Sequence, residues 1–165
     1  MAVKPIPEGY HSITPYLIIN EAAKAIDWYK NAFGAQQVLR MEDPSTGRIG
    51  HAELKIGDSY IMLADEHPDM GYRSPKTLGG AGISLLLYVK DVDNVVKRAV
   101  DAGAKLERPV QDQFYGDRMG TIHDPFGHVW SIATHIEDVS PEEMLERSKK
   151  AFQQLAPQNH LSARD

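Results

Sequence analysis

The stretch that decides the fold is ITPYLIINEAAKAIDWYKNAFGA, residues 13–35, because a related stretch occurs later in the chain. The second copy is ISLLLYVKDVDNVVKRAVDAGA, residues 83–104, and both copies have the pattern of a strand and then a helix that ends at Gly-Ala. Matching positions are separated by 69 or 70 residues: Leu17 and Leu87, Gly34 and Gly103, and Gly57 and Gly127. This period is too long for a solenoid repeat. The sequence therefore predicts a tandem duplication of a half-domain module.

The first copy predicts a strand whose two faces meet different surroundings, followed by an amphipathic helix. Ile13, Leu17 and Ile19 lie on the strand face that we expect to carry the helix. Asn20 is a candidate N-cap, and Gly34 is placed as the C′ glycine that ends the helix. One apolar stripe follows the helix at spacings of four, three and four, formed by Ala22, Ile26, Tyr29 and Phe33.

The remaining residues complete the first module and repeat it. A strand at 36–42 and a hairpin at 48–65, which turns at Gly57 and Asp58, make the first module βαβββ. The start of a last helix is indicated by Ser140 as N-cap and Glu143 as its capping-box partner. The sequence thus predicts one α+β domain, 1–165, organised as a first βαβββ module at 10–65, a Pro- and Gly-rich linker at 66–82, a second βαβββ module at 83–136 and a C-terminal helix at 140–156.

The composition indicates a globular protein and argues against several classes of partner. Of the 165 residues 42% are hydrophobic, which suffices for one packed domain. The 18 Lys and Arg residues are scattered and are outnumbered by 23 Asp and Glu residues, so we expect no nucleic-acid partner. The chain contains no cysteine, which excludes a disulfide framework and a thiolate nucleophile. The sequence shows neither a signal peptide nor a membrane-spanning run, so we expect a cytoplasmic protein without a membrane partner.

Three phrases in the chain resemble the vicinal oxygen chelate superfamily, which contains glyoxalase I, the bleomycin-resistance proteins and the extradiol dioxygenases. They are PYLIINEAAKAIDWYKNAFGA, HAELKIGDSYIMLAD and FYGDRMGTIHDPFGHVWSIATHIED, and the resemblance spans about residues 10–136. The last two phrases are most similar to the PhnB-like branch. The resemblance implies two tandem βαβββ modules whose curved mixed sheets form a cup. Helices would lie on the convex side and a small-molecule cavity on the concave side.

Members of that superfamily hold a divalent metal with four side chains, one from the first and one from the fourth strand of each module. Aligning on the AIDWY phrase, the capping segments of the helices and the DPFG turn places these positions at Thr14, Met62, Ser84 and Ser131. Three hydroxyls and one thioether offer neither the imidazole nor the carboxylate ligands that such a metal requires. We therefore expect no metal and no other cofactor, and no classical glyoxalase I activity.

Continuing the strand alternation gives the concave side a mixed aromatic, hydroxyl and thioether lining. Such a lining suits an aromatic or hydrophobic ligand that is held by a few polar groups. The predicted ligand-binding residues on these strands are Thr14, Tyr16, Tyr60, Met62, Ser84, Leu86, Tyr88 and Ser131.

His51 and Glu53 are the candidate catalytic residues because they lie two positions apart in a predicted strand and so share a face. One hypothesis makes Glu53 a general base whose pKa is raised by partial burial, with His51 as its partner or as a proton relay. The alternative is that these residues form the polar face of an edge strand in contact with water. The sequence leaves both interpretations open.

Tyr115 and Arg118, in the phrase FYGDR, are further candidates for ligand binding. An arginine offers a planar fork for bidentate hydrogen bonds, so the two residues suit an anionic or carbonyl-bearing ligand. The alternative is a structural ion pair between Arg118 and Asp117 or Asp124.

Three functions remain open from the sequence. The first is a metal-independent protein that binds an aromatic or hydrophobic small molecule. The second is an isomerase, lyase or dioxygenase that uses Glu53 or His51, either without the usual metal or with relocated ligands. The third is an interaction module whose cup is filled by its own side chains. We expect a symmetric homodimer, in which the last helix packs on the partner or closes over the chain's own sheet. This helix has an apolar stripe that requires cover, formed by Met144, Ala151, Phe152 and Leu155.

Overall fold

The computed structural model describes residues 3–155, so residue 156 of the predicted last helix lies outside the described part. The first module contains β1 (Tyr16–Ile19), α1 (Ala22–Phe33), β2 (Gln36–Glu42), β3 (Ile49–Ile56) and β4 (Ser59–Asp65). A 3-10 turn (Pro68–Met70) and α2 (Pro75–Leu78) follow. The second module contains β5 (Ser84–Tyr88), α3 (Val92–Asp101), β6 (Lys105–Asp112), β7 (Asp117–His123) and β8 (Val129–His135), and α4 (Pro141–Leu155) completes the described chain.

The strands form two separate four-stranded sheets with the same topology. The order is β1-β4-β3-β2 in the first sheet and β5-β8-β7-β6 in the second. In each sheet the first strand is parallel to the fourth, and the remaining pairs are antiparallel. The predicted fold class is confirmed, since the two mixed sheets repeat one βαβββ arrangement and a C-terminal helix follows them.

Strand β1 has one buried and one accessible face, as the alternation indicated. Leu17 and Ile19 are buried, whereas the Tyr16 side chain on the opposite face is 48% exposed. The strand begins at Tyr16, later than the pattern indicated, and Ile13 is exposed. The prediction that Ile13 belongs to the buried face was therefore wrong. Pro15 explains the late start, because it has no backbone N–H to donate to a neighbouring strand.

The first residue of helix α1 is hydrogen-bonded to a carboxylate at the end of strand β4. Asp65, at the end of β4, accepts hydrogen bonds from the backbone N–H groups of Ala22 at 2.8 Å and Ile49 at 2.7 Å. The prediction that Asn20 caps the helix was wrong, since Glu21 occupies the N-cap position with a left-handed φ of 68°. Gly34 ends the helix in the left-handed conformation, with a φ of 70°, as predicted.

The two modules meet through α1, which packs against α3 and β8. The indole N–H of Trp28 donates to the backbone carbonyl of Ala102 at 2.9 Å, and the Arg98 guanidinium donates to the carbonyl of Ala32 at 2.8 Å. The rings of Phe33 and Trp130 pack edge to face with centroids 4.9 Å apart. The contacting surfaces belong to one continuous hydrophobic core.

Asp124, in the turn between β7 and β8, accepts four hydrogen bonds in that core. Its Oδ2 accepts from the Tyr29 hydroxyl at 2.6 Å and from the Trp130 indole N–H at 3.0 Å. Its Oδ1 accepts from the backbone N–H groups of Phe126 and His128, each at 2.9 Å. Because Tyr29 belongs to α1, this one carboxylate joins the first module to the last hairpin of the second.

The predicted linker is partly ordered by the buried carboxylate of Glu66. Asn20 donates to its Oε1 at 2.8 Å, while the backbone N–H of Ser74 and the hydroxyl of Thr77 donate to its Oε2 at 2.9 and 2.7 Å. These hydrogen bonds, with that from Asn20 the largest influence, lower the pKa of Glu66 to about 2. The linker therefore contains fixed turns rather than being a passive tether.

Helix α4 makes polar contacts with the second module but leaves apolar side chains uncovered. Arg147 donates to Glu137 at 2.7 and 2.6 Å and to the backbone carbonyl of Phe114 at 3.3 Å. Leu145 and Phe152 remain 64% and 67% exposed. Among the helices of the described part, none combines the length and the apolar character that crossing a membrane requires.

We predict that Asp124→Asn lowers the free energy of unfolding by about 3 kcal/mol, because the Asn amide would face the Tyr29 and Trp130 donors without accepting from both. Urea unfolding followed by circular dichroism measures the change. Asp27→Asn, at an exposed position of α1, is the matched control and should change stability by less than about 0.5 kcal/mol. Equal stability of the two variants would contradict the role assigned to Asp124.

Candidate functional site

A cavity of about 670 Å³ lies where the segment before β1, the β3–β4 turn and β5 approach one another. It is lined by four of the predicted ligand-binding residues, Thr14, Tyr60, Leu86 and Tyr88. Phe33 and other core residues form part of its wall. We call this space the inter-module cleft. Its lining is mainly aromatic and aliphatic, with hydroxyl groups at its edge.

The other predicted residues lie on the accessible faces of the two sheets, next to the cleft. In the first sheet, Met62 is paired with Tyr16 on one side and with Glu53 on the other, so the three side chains share a face. In the second sheet, Ser131 is paired with Leu86 and with Thr121, and the Ser131 and Thr121 hydroxyls are 3.4 Å apart. Ser84 begins β5 opposite Val129 and is exposed.

On the first sheet, the two candidate catalytic residues belong to a chain of hydrogen bonds. The Tyr10 hydroxyl donates to Oε2 of Glu53, and His51 Nε2 lies 3.2 Å from its Oε1. The Tyr16 hydroxyl is 2.9 Å from Nδ1 of His51. Tyr10 also stacks on Tyr60, with ring centroids 4.3 Å apart and an interplanar angle of 26°. The structure therefore brings His51, Glu53, Tyr16 and Tyr60 together.

The environment of Glu53 differs from both interpretations that the sequence left open. The hydrogen bond from Tyr10 is the main cause that lowers the pKa of Glu53, so the expectation of a pKa raised by burial was wrong. Burial and the Glu53 hydrogen bond in turn raise the pKa of Tyr10 to about 12. The alternative of an edge strand was also wrong, because β3 lies between β4 and β2. Glu53 is a hydrogen-bonded carboxylate that accepts protons weakly.

The second sheet carries a comparable network that the sequence analysis missed. The carboxylate of Asp117 is only 5% exposed. It accepts from the Tyr88 hydroxyl at 2.8 Å and lies 2.7 Å from Nδ1 of His135. The hydrogen bond with Asp117, followed by one with Asp138, raises the pKa of His135. A buried carboxylate that orients an accessible imidazole is an arrangement suited to proton transfer.

Tyr115 and Arg118 do not form the predicted pair. Tyr115 lies beside the second network, where burial and the nearby Asp117 charge raise its pKa, and its hydroxyl is 3.6 Å from the Met119 sulfur. Arg118 makes two hydrogen bonds of 2.8 Å to Asp93 of α3 and another of 2.8 Å to Asp112. Its ion-pair partners are neither Asp117 nor Asp124, and its contact with α3 places it away from Tyr115.

The four positions that the resemblance assigns to metal ligands carry side chains that do not fit a metal. Met62 and Ser131 occupy corresponding places in the two sheets, opposite Tyr16 and Leu86. With Thr14 and Ser84 they supply a thioether and three hydroxyls, which are poor ligands for a divalent ion. Across residues 3–155, no cluster of three or more His, Asp or Glu side chains has a geometry suited to metal binding.

The missed residues differ in how far the sequence could have revealed them. Counting back from the DPFG turn pairs Asp117 with His135, as the β7–β8 register does, so this pair was accessible from the hairpin pattern. No sequence pattern indicated that Tyr10 belongs to the site. It precedes the first strand, and only the path of the folded chain brings it to Glu53.

Comparison with known families agrees with this architecture. A family profile described as the Glyoxalase/Bleomycin resistance protein/Dioxygenase superfamily matches residues 9–132. An uncharacterized protein from Mycobacterium tuberculosis is 40% identical over 136 residues, which are 81% of this chain and 79% of that protein.

Two solved structures illustrate the similarity of the fold. TioX from Micromonospora sp. ML1 is 27% identical, with a TM-score of 0.58, and the match covers 79% of this chain and 100% of TioX. The PhnB protein from Bacillus cereus is 17% identical, with a TM-score of 0.60 and coverage of 75% of this chain and 99% of that one. At that identity the second match concerns the fold alone.

We predict that Asp117→Asn lowers the pKa of the His135 imidazole, because it removes the main group that stabilises the protonated ring. NMR titration of the histidine ring protons measures the pKa of His135. Asp138→Asn, which removes the weaker partner, should lower this pKa less than Asp117→Asn does. Since the folded-state pKa is raised, this contribution to stability is present below the unfolded value of about 6.5 and disappears as the pH rises through the folded value. An unchanged His135 titration in Asp117→Asn would contradict the assignment.

Proposed function

Because the chain belongs to the glyoxalase/bleomycin resistance protein/dioxygenase superfamily, we propose that it binds a small aromatic or hydrophobic molecule in the inter-module cleft. The observation that carries the proposal is the cleft itself, a cavity of about 670 Å³. Pockets of this size, with mostly apolar walls and a few polar groups, are typical of small-molecule sites. Thr14 and the Tyr60 hydroxyl supply polar groups, and Leu86 supplies an apolar one.

Binding in this proposal does not require a metal. The side chains at Thr14, Met62, Ser84 and Ser131 are weak ligands, so the ligand must be held by packing and hydrogen bonds. Met62 suits this task because a thioether adapts its shape to an apolar partner. We expect the protein to carry no other cofactor.

An enzymatic function is the second candidate, and the arrangement around His135 favours it more than Glu53 does. A general base needs a pKa near the working pH, whereas hydrogen bonds lower the pKa of Glu53. His135 is half-exposed, and the buried Asp117 carboxylate orients its ring. An isomerase or lyase that moves a proton would therefore use His135 rather than Glu53.

We also propose that the protein forms a homodimer. Several large apolar side chains outside the cleft, on β2 and α4, are more than 40% exposed: Leu39, Met41, Leu145 and Phe152. Burying such surface stabilises an assembly by about 25 cal/mol per Å². A two-fold arrangement would use the same patch on both copies.

We predict that the dye anilinonaphthalene sulfonate binds in the cleft and that Leu86→Asp raises its Kd at least tenfold, because a charge would then face the apolar ring system. The dye emission titration measures the Kd. Leu145→Asp is the matched control, since it makes the same change at an exposed apolar position of α4 and should leave the Kd within twofold.

The same titration after extensive dialysis against EDTA tests the absence of a metal from the binding step. We expect the Kd to be unchanged, and elemental analysis to find far less than one metal ion per chain. Equal effects of the two aspartate variants, or loss of binding after dialysis, would contradict the proposed function.

We predict that Phe152→Asp shifts the sedimentation profile towards the monomer, because the exposed ring would otherwise be buried at the dimer interface. Gln153→Asp, at the next and equally accessible position of α4, is the control and should sediment like the unaltered chain. Truncation after Asp138 should have the same effect as Phe152→Asp. If the truncated and full-length proteins sediment alike and melt alike, α4 has no part in assembly.

A further inference from the structure

The N-terminal segment lies over the first sheet and places one aromatic ring on it. Residues 3–9 are exposed, whereas Tyr10 is partly buried. The Tyr10 ring stacks on Tyr60, and its hydroxyl donates to the carboxylate of Glu53. Gly9 permits the close approach, because a Cβ at that position would lie 3.2 Å from the Tyr60 ring and its φ is +84°. The segment therefore contacts the sheet through the Tyr10 ring and through Gly9, which lies against Tyr60.

The hydrogen bonds of the described residues also identify Tyr10 as the contact between this segment and the sheet. The backbone N–H of Tyr10 bonds to the carbonyl of Pro7, which lies within the segment itself. Between residues 3–10 and the sheet, the hydrogen bond that the structure describes is the one from the Tyr10 hydroxyl to Glu53. Tyr10 is thus held as a small ligand would be, by ring stacking and by one polar group.

We propose that Glu53 and Tyr60 form a binding site for phenols, that Tyr10 occupies this site in the free protein, and that a phenolic small molecule displaces it. The inference rests on the proposed function, since Tyr60 also lines the inter-module cleft, and it extends the binding surface to Glu53, which lies beside the cleft rather than in its lining. It names the chemical class of the ligand and its polar contact.

The geometry of the site selects a phenol over other aromatic molecules. The Tyr60 ring offers a flat apolar surface, and offset stacking contributes beyond the area that it buries. The Glu53 carboxylate accepts hydrogen bonds and repels anions, so a neutral hydroxyl is a suitable partner and an aromatic carboxylate is not. An aromatic hydrocarbon would stack but would leave a carboxylate oxygen without its donor, which is unfavourable in a partly buried place.

The carboxylate is held in position for this contact. His51 lies 3.2 Å from the other oxygen of Glu53, and the Tyr16 hydroxyl holds the His51 ring at 2.9 Å. On the Tyr60 ring, the Lys55 ammonium is 5.6 Å from the centroid. The acceptor and the stacking surface are therefore both fixed by groups other than Tyr10, and they remain in place when the N-terminal segment moves away.

The test uses p-cresol, which reproduces the ring and hydroxyl of the tyrosine side chain, and toluene, which lacks the hydroxyl. We expect the full-length variant Tyr10→Ala to bind p-cresol at least tenfold more tightly than the unaltered chain in a calorimetric titration, because the tethered ring no longer competes. Toluene should bind both proteins weakly. Adding Glu53→Gln to Tyr10→Ala should weaken p-cresol binding at least fivefold, whereas adding Glu42→Gln, on the exposed edge strand β2, should not.

A second measurement on the unaltered protein keeps the test independent of any folding defect in the variant. Saturating p-cresol should accelerate hydrogen exchange at the Tyr10 amide, because displacement of the ring releases the turn to Pro7, and toluene should not. Failure of p-cresol to bind Tyr10→Ala and to accelerate this exchange would overturn the inference, as would equal binding of p-cresol and toluene. If dye binding still depends on Leu86 in that case, the proposed function stands and only the phenol site is wrong.

Discussion

The fold depends on the Asp124 carboxylate, whose four hydrogen bonds join α1 of the first module to the β7–β8 turn of the second. A buried charge of this kind is tolerated because each oxygen is fully hydrogen-bonded. The aromatic rings around it, Tyr29, Phe33 and Trp130, pack edge to face or stacked at centroid distances of 4.9 to 5.9 Å. The relative position of the modules, and with it the inter-module cleft, follows from this contact.

Helices α1 and α3 pack against one face of the first and second sheet, respectively, so the sheets present their other faces to solvent. Each of these faces carries a carboxylate that is bonded to a tyrosine hydroxyl and to an imidazole, Glu53 in one and Asp117 in the other. The two networks use different strand positions, and their electrostatics differ as well. The first lowers the pKa of its carboxylate, whereas the second raises the pKa of its histidine. The accessible faces of the two modules therefore differ, although their strand order is the same.

The proposed function has a physical basis in the side chains that stand at the positions which the resemblance assigns to metal ligands. Hydroxyls and a thioether do not supply the strong electrostatic centre of a metal site, so in this proposal recognition comes from shape, stacking and hydrogen bonds. Six tyrosines lie on or beside the two faces and offer such contacts: Tyr10, Tyr16, Tyr60, Tyr72, Tyr88 and Tyr115.

The sequence by itself determined the duplicated βαβββ order and the buried side of β1 at Leu17 and Ile19, because strand and helix periodicities are local properties. It also placed His51 and Glu53 on one face. Only the tertiary structure decided how those residues behave, since the pKa of Glu53 depends on Tyr10, 43 positions away, and Asp124 meets Tyr29 across 95 positions. Arg118 is a further example. Its partner Asp93 lies on α3, and strand alternation does not show which residue of a helix lies opposite a given strand residue. Long-range contacts of single side chains have no periodicity, so they are set only when the modules pack.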